Sequence, residues 1–587
     1  MNRLNTLKQS TIALAVAQAM VINVSSAATI TVNDGGDAGA GCTFREAVVI
    51  VNAGSDQSNG CSIDISNGPL GSNDTIEFDV VGNSILLTAG EVLIDSDVSI
   101  NPAGGAITIA GDRTDRLLNI ESANVSIDNA TLSESGFNFD LYSFEYTAGG
   151  AIAANLSTLT LNNSNISDNL TYFFYTGAGI SAQSSTVTIN NSSLSDNNAN
   201  RGGSIYSQSS TITLNNSTIS ESYGNNGGGV FARSSNISLN NSAISVNTSQ
   251  YRGGGIYATD QSTITLFNSD IVGNSILDAT FLGDGDGGGI YVRDLSILTL
   301  IDSNVSGNLA SANGGGIAAS SSTVALTNST ISNNSSNGYS GGIDADSSLV
   351  ILDSSTISGN SAASSGAIRT NSTSLNLVNS TISGNSASSS GGINTNLSWL
   401  NLTNSTISGN STTVFGVGGI AARYGSVELR NSIISGNRGR ADVNEISLNG
   451  VFLSASGNLI GDASQSLAQA IQTNQEFYQF IPLNFTNIIA TYDGNTPTLL
   501  SNILRPLADN GGPTQTHALV EGSPAVNAGD NDVCTFIPVS GLDQRGETRP
   551  RLSCDIGAFE GALEPLIPDP EFFVVPLPNG KTVIFGL

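Results

Sequence analysis

The 587-residue chain sets 19 Lys and Arg against 48 Asp and Glu, a formal net charge of −29, while charged residues make up only 11% of it. So acidic a surface repels phosphodiester backbones and anionic bilayers, which excludes nucleic acid as a partner. After the first 28 residues no stretch supplies the roughly 18–20 uninterrupted apolar residues of a membrane-spanning helix.

Residues 1–28 read as a secretory signal: Arg3 and Lys8 precede an apolar run, and Ser26-Ala27-Ala28 stands before the expected cut. Residues 29–66 read as an N-terminal cap. There Thr43-Phe44-Arg45-Glu46 has the form of a capping box, in which Thr43 accepts from the third helical amide and Glu46 reaches back. A short helix follows, with Phe44, Val48 and Val51 on one face, as a lid over the end of a stack whose open strands would otherwise aggregate. The four cysteines fall in two local pairs, Cys42 with Cys61 and Cys534 with Cys554. In an exported chain these predict two disulfides. The alternative, a four-Cys zinc site, requires pairs from opposite ends of the chain to meet, and neither pair has C-x-x-C spacing.

Residues 67–440 form the body of the chain, and between 148 and 437 one unit recurs eleven times, close to GGGI-x-S-STITL-x-NSTISGN. The apolar residue after the glycines (Ile152, Ile180, Ile205, Val230, Ile256 and onward to Ile420) returns at intervals of 25 to 34 residues. Such a period marks stacked units, none able to bury its apolar face alone. Within a unit the patterning has period two in pieces of three to five residues, as at Thr211-Ile212-Thr213-Leu214, so the elements are short strands. No window keeps a 3.6-residue period, which excludes helical repeats, and the leucine-rich frame is absent. The predicted fold is all-β: a right-handed parallel β-helix of about 14–17 coils spaced by roughly 4.8 Å, with Ile152, Ile205, Ile256 and Ile317 in one ladder. The Asn of each "NS" pair (Asn163, Asn191, Asn216 and equivalents) is expected to form a corner amide ladder. The glycines are expected where positive φ or close backbone approach is needed.

Residues 441–561 have a turn-rich composition that breaks the repeat. Residues 562–587 comprise a Pro-rich linker and a terminal β-hairpin around Asn579-Gly580.

Three motifs resemble a bacterial surface group. Cys42-Thr43-Phe44-Arg45-Glu46-Ala47 is similar to the CSLREA motif of exported β-helix proteins, with Thr43 and Phe44 replacing its Ser and Leu. The Gly-Gly-Ile and Asn-Ser-Thr-Ile-Ser-Gly-Asn units resemble the repeats of polymorphic outer membrane proteins. Gly511-Gly512-Pro513-Thr514, His517, Asp543-Gln544-Arg545-Gly546 and Asp555-Ile556-Gly557 resemble the choice-of-anchor Q domain. The resemblance implies an exported bacterial protein, at the cell surface or secreted, and points to no particular enzymatic activity. Unlike polymorphic outer membrane proteins, residues 441–587 lack the many strands of a translocator barrel.

No catalytic residue is assigned from the sequence. The stretch around Asp284 and Asp286, alternating with glycine, points to calcium as a candidate cation, although the full loop pattern is missing. Arg201, Arg252, Arg369 and Arg423 lie near the glycine corner, either as a sparse basic stripe or as solvated turn residues. His517 is read as structural, and Asp543 with Arg545 as a buried ion pair. Three functions stay open: an adhesin-like interaction protein whose faces bind glycans or surface proteins, a lyase or glycosidase acting on acidic polysaccharide, and a structural envelope component. The regular Ser, Thr and Asn ladders favour the first, because repeated weak contacts gain strength by multivalency.

Overall fold

A computed structural model describes residues 27–57, 60–71, 73–102, 105–136, 149–171, 176–277, 285–440, 443–474, 486–563, 573–576 and 582–585. Residues 1–26 of the expected signal, Asp284, and residues 564–572 of the expected linker lie outside that set.

The coil 202–226 shows how the unit folds. The chain runs Ile205–Gln208, bends at Ser209, runs Thr211–Asn215, bends at Asn216, runs Thr218–Ser220, and closes with Tyr223–Asn226 before Gly227. Four bends are left-handed, with φ of 53° at Ser209, 49° at Asn216, 53° at Glu221 and 67° at Gly227. Each strand pairs in parallel with its equivalent one turn on, as in Ile205↔Val230, Ile212↔Ile237 and Ile219↔Ile244. Repetition of this unit produces an all-β, right-handed parallel β-helix of about 14 turns. Among the described residues its strands form sheets of 29, 16 and 9 strands.

The apolar marker residues stack as expected: Ile152↔Ile180↔Ile205↔Val230↔Ile256↔Ile290↔Ile317. All seven are fully buried. Alternation explains this, because a period of two sends Ile205 inward and Tyr206 outward. The pairing extends past residues 67 and 440. Thr29–Val32 already pairs in parallel with Asp74–Phe78, and Leu459–Ile460 pairs with Ile488–Ile489. At Gly254 a Cβ would stand 2.1 Å from the Gly288 carbonyl oxygen, so the closely approaching backbones of successive coils need glycine there.

The amide ladder runs through a different asparagine from the one expected. The "NS" residues are the left-handed corner, with φ of 49° at Asn163, Asn191 and Asn216, a conformation Asn tolerates better than most residues. Their amides are outward and pair only in places, as Asn268 Nδ2 donating to Asn241 Oδ1 at 2.7 Å. The continuous ladder belongs to the Asn that closes "SGN" and lies inside the coil. Asn247, Asn274, Asn308, Asn334, Asn360, Asn385 and Asn410 each donate from Nδ2 to the Oδ1 of the next, at 2.8–3.0 Å, and the column ends at Asn437. The buried hydroxyls of Ser185, Ser210, Ser235 and Ser262 form a second column, each accepting from the backbone N–H of the coil before.

Both disulfides are present, Cys42–Cys61 and Cys534–Cys554. Beside the first lies the helix Phe44–Ala53, with the reciprocal Thr43–Glu46 capping box and Phe44, Val48 and Val51 buried. It packs on Thr29–Val32, Asp74–Phe78 and Val92–Ile94. Arg45 binds the Asp37 carboxylate and the Gly90 and Glu91 carbonyls. Each residue of the Cys-Thr-Phe-Arg-Glu segment therefore has a local structural task.

The region after residue 500 folds back along the outside of the 16-stranded sheet. Gln544 donates to Thr356 Oγ1 and Thr514 Oγ1 and accepts from Thr381 Oγ1. His517 sits between Ser383 Oγ (2.8 Å) and the Arg505 carbonyl (2.7 Å). The carbonyl requires the proton on Nδ1, so Nε2 accepts from Ser383, and burial holds the ring neutral. Asp543 pairs with Arg545 at 2.8 Å, and Arg549 is buried against Glu560 at 2.9 Å. The terminal strands Phe573–Pro576 and Thr582–Phe585 pair antiparallel.

Candidate functional site

The outward residue that follows each apolar marker forms a column on the broad sheet. It reads Tyr206, Phe231, Tyr257, Tyr291, Ala318, Asp344, Arg369 and Asn394, in register throughout. The four rings lie with centroids 5.5, 4.9 and 5.4 Å apart, the first two contacts stacked and Tyr257–Tyr291 tilted by 54°, and are only 5–8% exposed. Buried against one another and under neighbouring guanidinium groups, these rings stiffen the rod and offer little platform to a ligand. Its signal was present in the sequence as an aromatic after the marker in four successive units.

Beside this column runs the edge of the glycine corner, where Arg201, Asn226, Arg252 and Asp286 are aligned. Arg201 lies over the Phe231 ring at 5.6 Å and Arg252 over Tyr291 at 5.9 Å. Of the two readings of the arginines, a basic stripe or solvated turn residues, the stripe is not formed. Arg201 and Arg252 stand on the corner edge, Arg369 in the strand column, and Arg423 two positions further along its strand, level with Asn396. The four share a sequence neighbourhood but not a phase.

Two carboxyls, Asp286 and Asp344, lie two coils apart where the aromatic column ends. Asp344 accepts from Arg369 Nη1 at 2.9 Å, and Arg369 in turn covers the Tyr339 ring at 4.2 Å. Burial raises the Asp344 carboxyl, opposed by Arg369. Asp286 is pushed up to about 6, first by burial and then by the Asp344 charge, against hydrogen bonding from Asn313. Its Oδ1 has no hydrogen-bond partner among the described residues. A carboxyl in that range can exchange a proton near neutral pH. The Arg252 guanidinium also lowers it, and a cation so placed works against a divalent ion. Among the described residues no three His, Cys, Asp or Glu side chains come together to hold a metal.

A cleft of about 570 Å³ lies across the first strand from this column, lined by Ser234, Asp260, Gln261, Asp294, Leu295 and Ser321. Each of two successive coils carries two left-handed residues there, Asp260-Gln261 and Asp294-Leu295, where neighbouring coils have one. Both carboxylates are engaged, Asp260 by Arg233 and Asp294 by Arg293 and Thr259.

Sequence reasoning passed over Glu445, which is fully buried at the end of the amide ladder. Its Oε2 accepts from Asn437 Nδ2 at 2.6 Å and its Oε1 from Gly436 N (3.0 Å) and Gln465 Nε2 (2.7 Å). Burial pushes its carboxyl up to about 8 despite these donors. Because Glu445 follows the last regular unit, no period marks it.

Comparison with known proteins agrees with the geometry. A family model described as right handed beta helix region matches residues 118–294 and 178–339. A search of curated proteins finds no match. The register and this match make the chain a β-helix repeat protein.

Proposed function

We propose that the chain is an exported extracellular interaction protein, adhesin-like and without catalysis, that uses the sides of its rod to hold glycans or surface proteins. The observation that carries this reading is the register itself. Outward amides repeat coil after coil, Asn190 donating to Asn162, Asn215 to Asn190 and Asn240 to Asn215 at 2.8–2.9 Å. Along these four coils a linear partner meets the same group at each step, and individually weak contacts add. Two disulfides fit an oxidising compartment. In this reading residues 1–28 direct export, the helix Phe44–Ala53 is a lid, and residues 441–561 are an anchor-type region. Fractionation of the native organism tests it: the oxidised protein is expected on intact cells or in the medium. Recovery of a reduced protein in the cytosol would refute it.

A second reading, cleavage of acidic polysaccharide, is favoured by one observation, the near-neutral Asp286 two coils from the Asp344 charge. If it held, pectin or alginate would yield unsaturated products or new reducing ends, and Asp286→Asn would lower the rate by about 10²-fold or more. The expected result is no turnover with either protein.

A further inference from the structure

We propose that the coils around residues 393–430 carry a binding site for a uronate-bearing polysaccharide, built from Leu397, Trp399, Arg423 and Tyr424; the assignment rests on the extracellular reading above. On most coils the first corner is a serine, as at Ser184, Ser209, Ser234 and Ser372, and the strand position beyond it is small and polar, as at Thr186, Thr211 and Ser374. Here the corner residues are Leu397 and Tyr424, and the strand position is the chain's single tryptophan.

All three are open to solvent: Trp399 is 61% exposed, Leu397 57% and Tyr424 54%. Leu397 and Tyr424 also stand in the left-handed region, with φ of 51° and 48°. That conformation is unfavourable for large side chains, and the three preceding coils use Ser321, Ser347 and Ser372 for it, while Leu156 and Leu295 are single leucines at the same corner further back. Among the described residues, only here do two such corners follow one another on successive coils, with an exposed aromatic ring between them, and outward apolar groups held in strain concentrate at functional positions. The indole has only Ser374 and Ser426 as cross-strand neighbours. At the next corner Gly450 leaves room for the Tyr424 ring, whose Cδ1 would lie 2.9 Å from an added Cβ.

Charge selects the occupant. The chain as a whole carries −29, yet residues 354–440 contain five arginines and a single acid, Glu428. On this face Arg430 pairs with Glu428. Arg423 is exposed, and among the described residues its side chain makes no ion pair or hydrogen bond. Flat rings take the C–H face of a pyranose, and a guanidinium takes a carboxylate through two parallel hydrogen bonds. An acidic chain repelled by most of the rod would settle here. A neutral glycan would gain nothing from Arg423.

Because Trp399 is the only tryptophan, its emission reports this face directly. Titration of the full chain with oligogalacturonate and with alginate oligomers is expected to shift or quench that emission. A neutral gluco-oligosaccharide is expected to leave it unchanged. Arg423→Gln should weaken binding by about tenfold and Trp399→Ala should abolish it, measured for that variant by calorimetry, with circular dichroism unchanged in both. Equal response to neutral and acidic sugars, acidic binding that leaves Trp399 silent, or an emission change driven by protein concentration alone would overturn the assignment. The last would identify a second copy of this chain as the occupant. Those outcomes leave the extracellular reading standing, since it falls only with the fractionation result.

Discussion

Replacing Asn334 with leucine is expected to lower the unfolding free energy of the central coils by about 4 kcal/mol. The size of the effect follows from what the amide touches. Its Oδ1 accepts from both Asn308 N and Asn308 Nδ2 at 2.9 Å, and its Nδ2 donates to the Val305 carbonyl at 2.9 Å and to Asn360 Oδ1. Leucine leaves two Asn308 donors and one carbonyl without those bonds in a site with no water access, each worth roughly 1–3 kcal/mol when buried. Asn328, six residues earlier, is the control. It occupies the left-handed corner at φ 52°, and its amide reaches Asp302 from the surface. Asn328→Gly is expected to change stability by less than about 1 kcal/mol, since glycine adopts that corner freely. Urea unfolding of the two variants separates the roles. Comparable losses would show that the inner amides contribute no more than the corner does.

Stability is expected to fall as pH rises from about 5 to about 8, and Glu445→Gln is expected to remove most of that slope. The carboxyl is held at about 8 in the folded chain against a reference of 4.5. A raised acid binds its proton more tightly when folded, so its favourable contribution is complete below the unfolded value. It is lost as pH climbs, because the unfolded chain ionises first. Above about 8 both states are ionised and the curve levels. One proton of difference corresponds to about 1.4 kcal/mol per pH unit, a slope that urea midpoints at pH 5, 6.5 and 8 resolve. Asp286, raised to about 6, adds a smaller slope of the same sign at lower pH, so the informative quantity is the difference between wild type and variant. Parallel pH curves for the two proteins would mean that Glu445 is ionised throughout, with its amide donors outweighing burial.

The repeat made the solenoid readable because alternation and period together decide which residue faces inward. Ile152 through Ile317 needed nothing more. The capping box at Thr43 and Glu46 was equally local. What periodicity does not carry is the choice between two equally regular asparagines. Asn216 and Asn247 recur alike, and only the left-handed φ at the first and the inward bend at the second separate corner from ladder. Pairs such as Asp344 and Arg369 were one period apart and so in phase, yet Arg423 fell out of phase through its position within the strand. Glu445 and the contacts of Gln544 and His517 lie beyond the last regular unit, where no repeat predicts a partner.

The fold-back of the C-terminal region changes how the rod comes apart. Elsewhere each coil touches its neighbours, so opening propagates turn by turn from a free end like a zip. Between Ser354 and Asn431 the coils toward the C-terminal end are cross-tied by residues 99 to 189 positions away in sequence, including Thr356, Thr381 and Ser383 through Gln544 and His517. Fraying cannot enter from that end one turn at a time, because the strap must lift from several coils together. The rod therefore has one end that peels and one that ruptures as a block, an asymmetry under load that follows from where the strap lies.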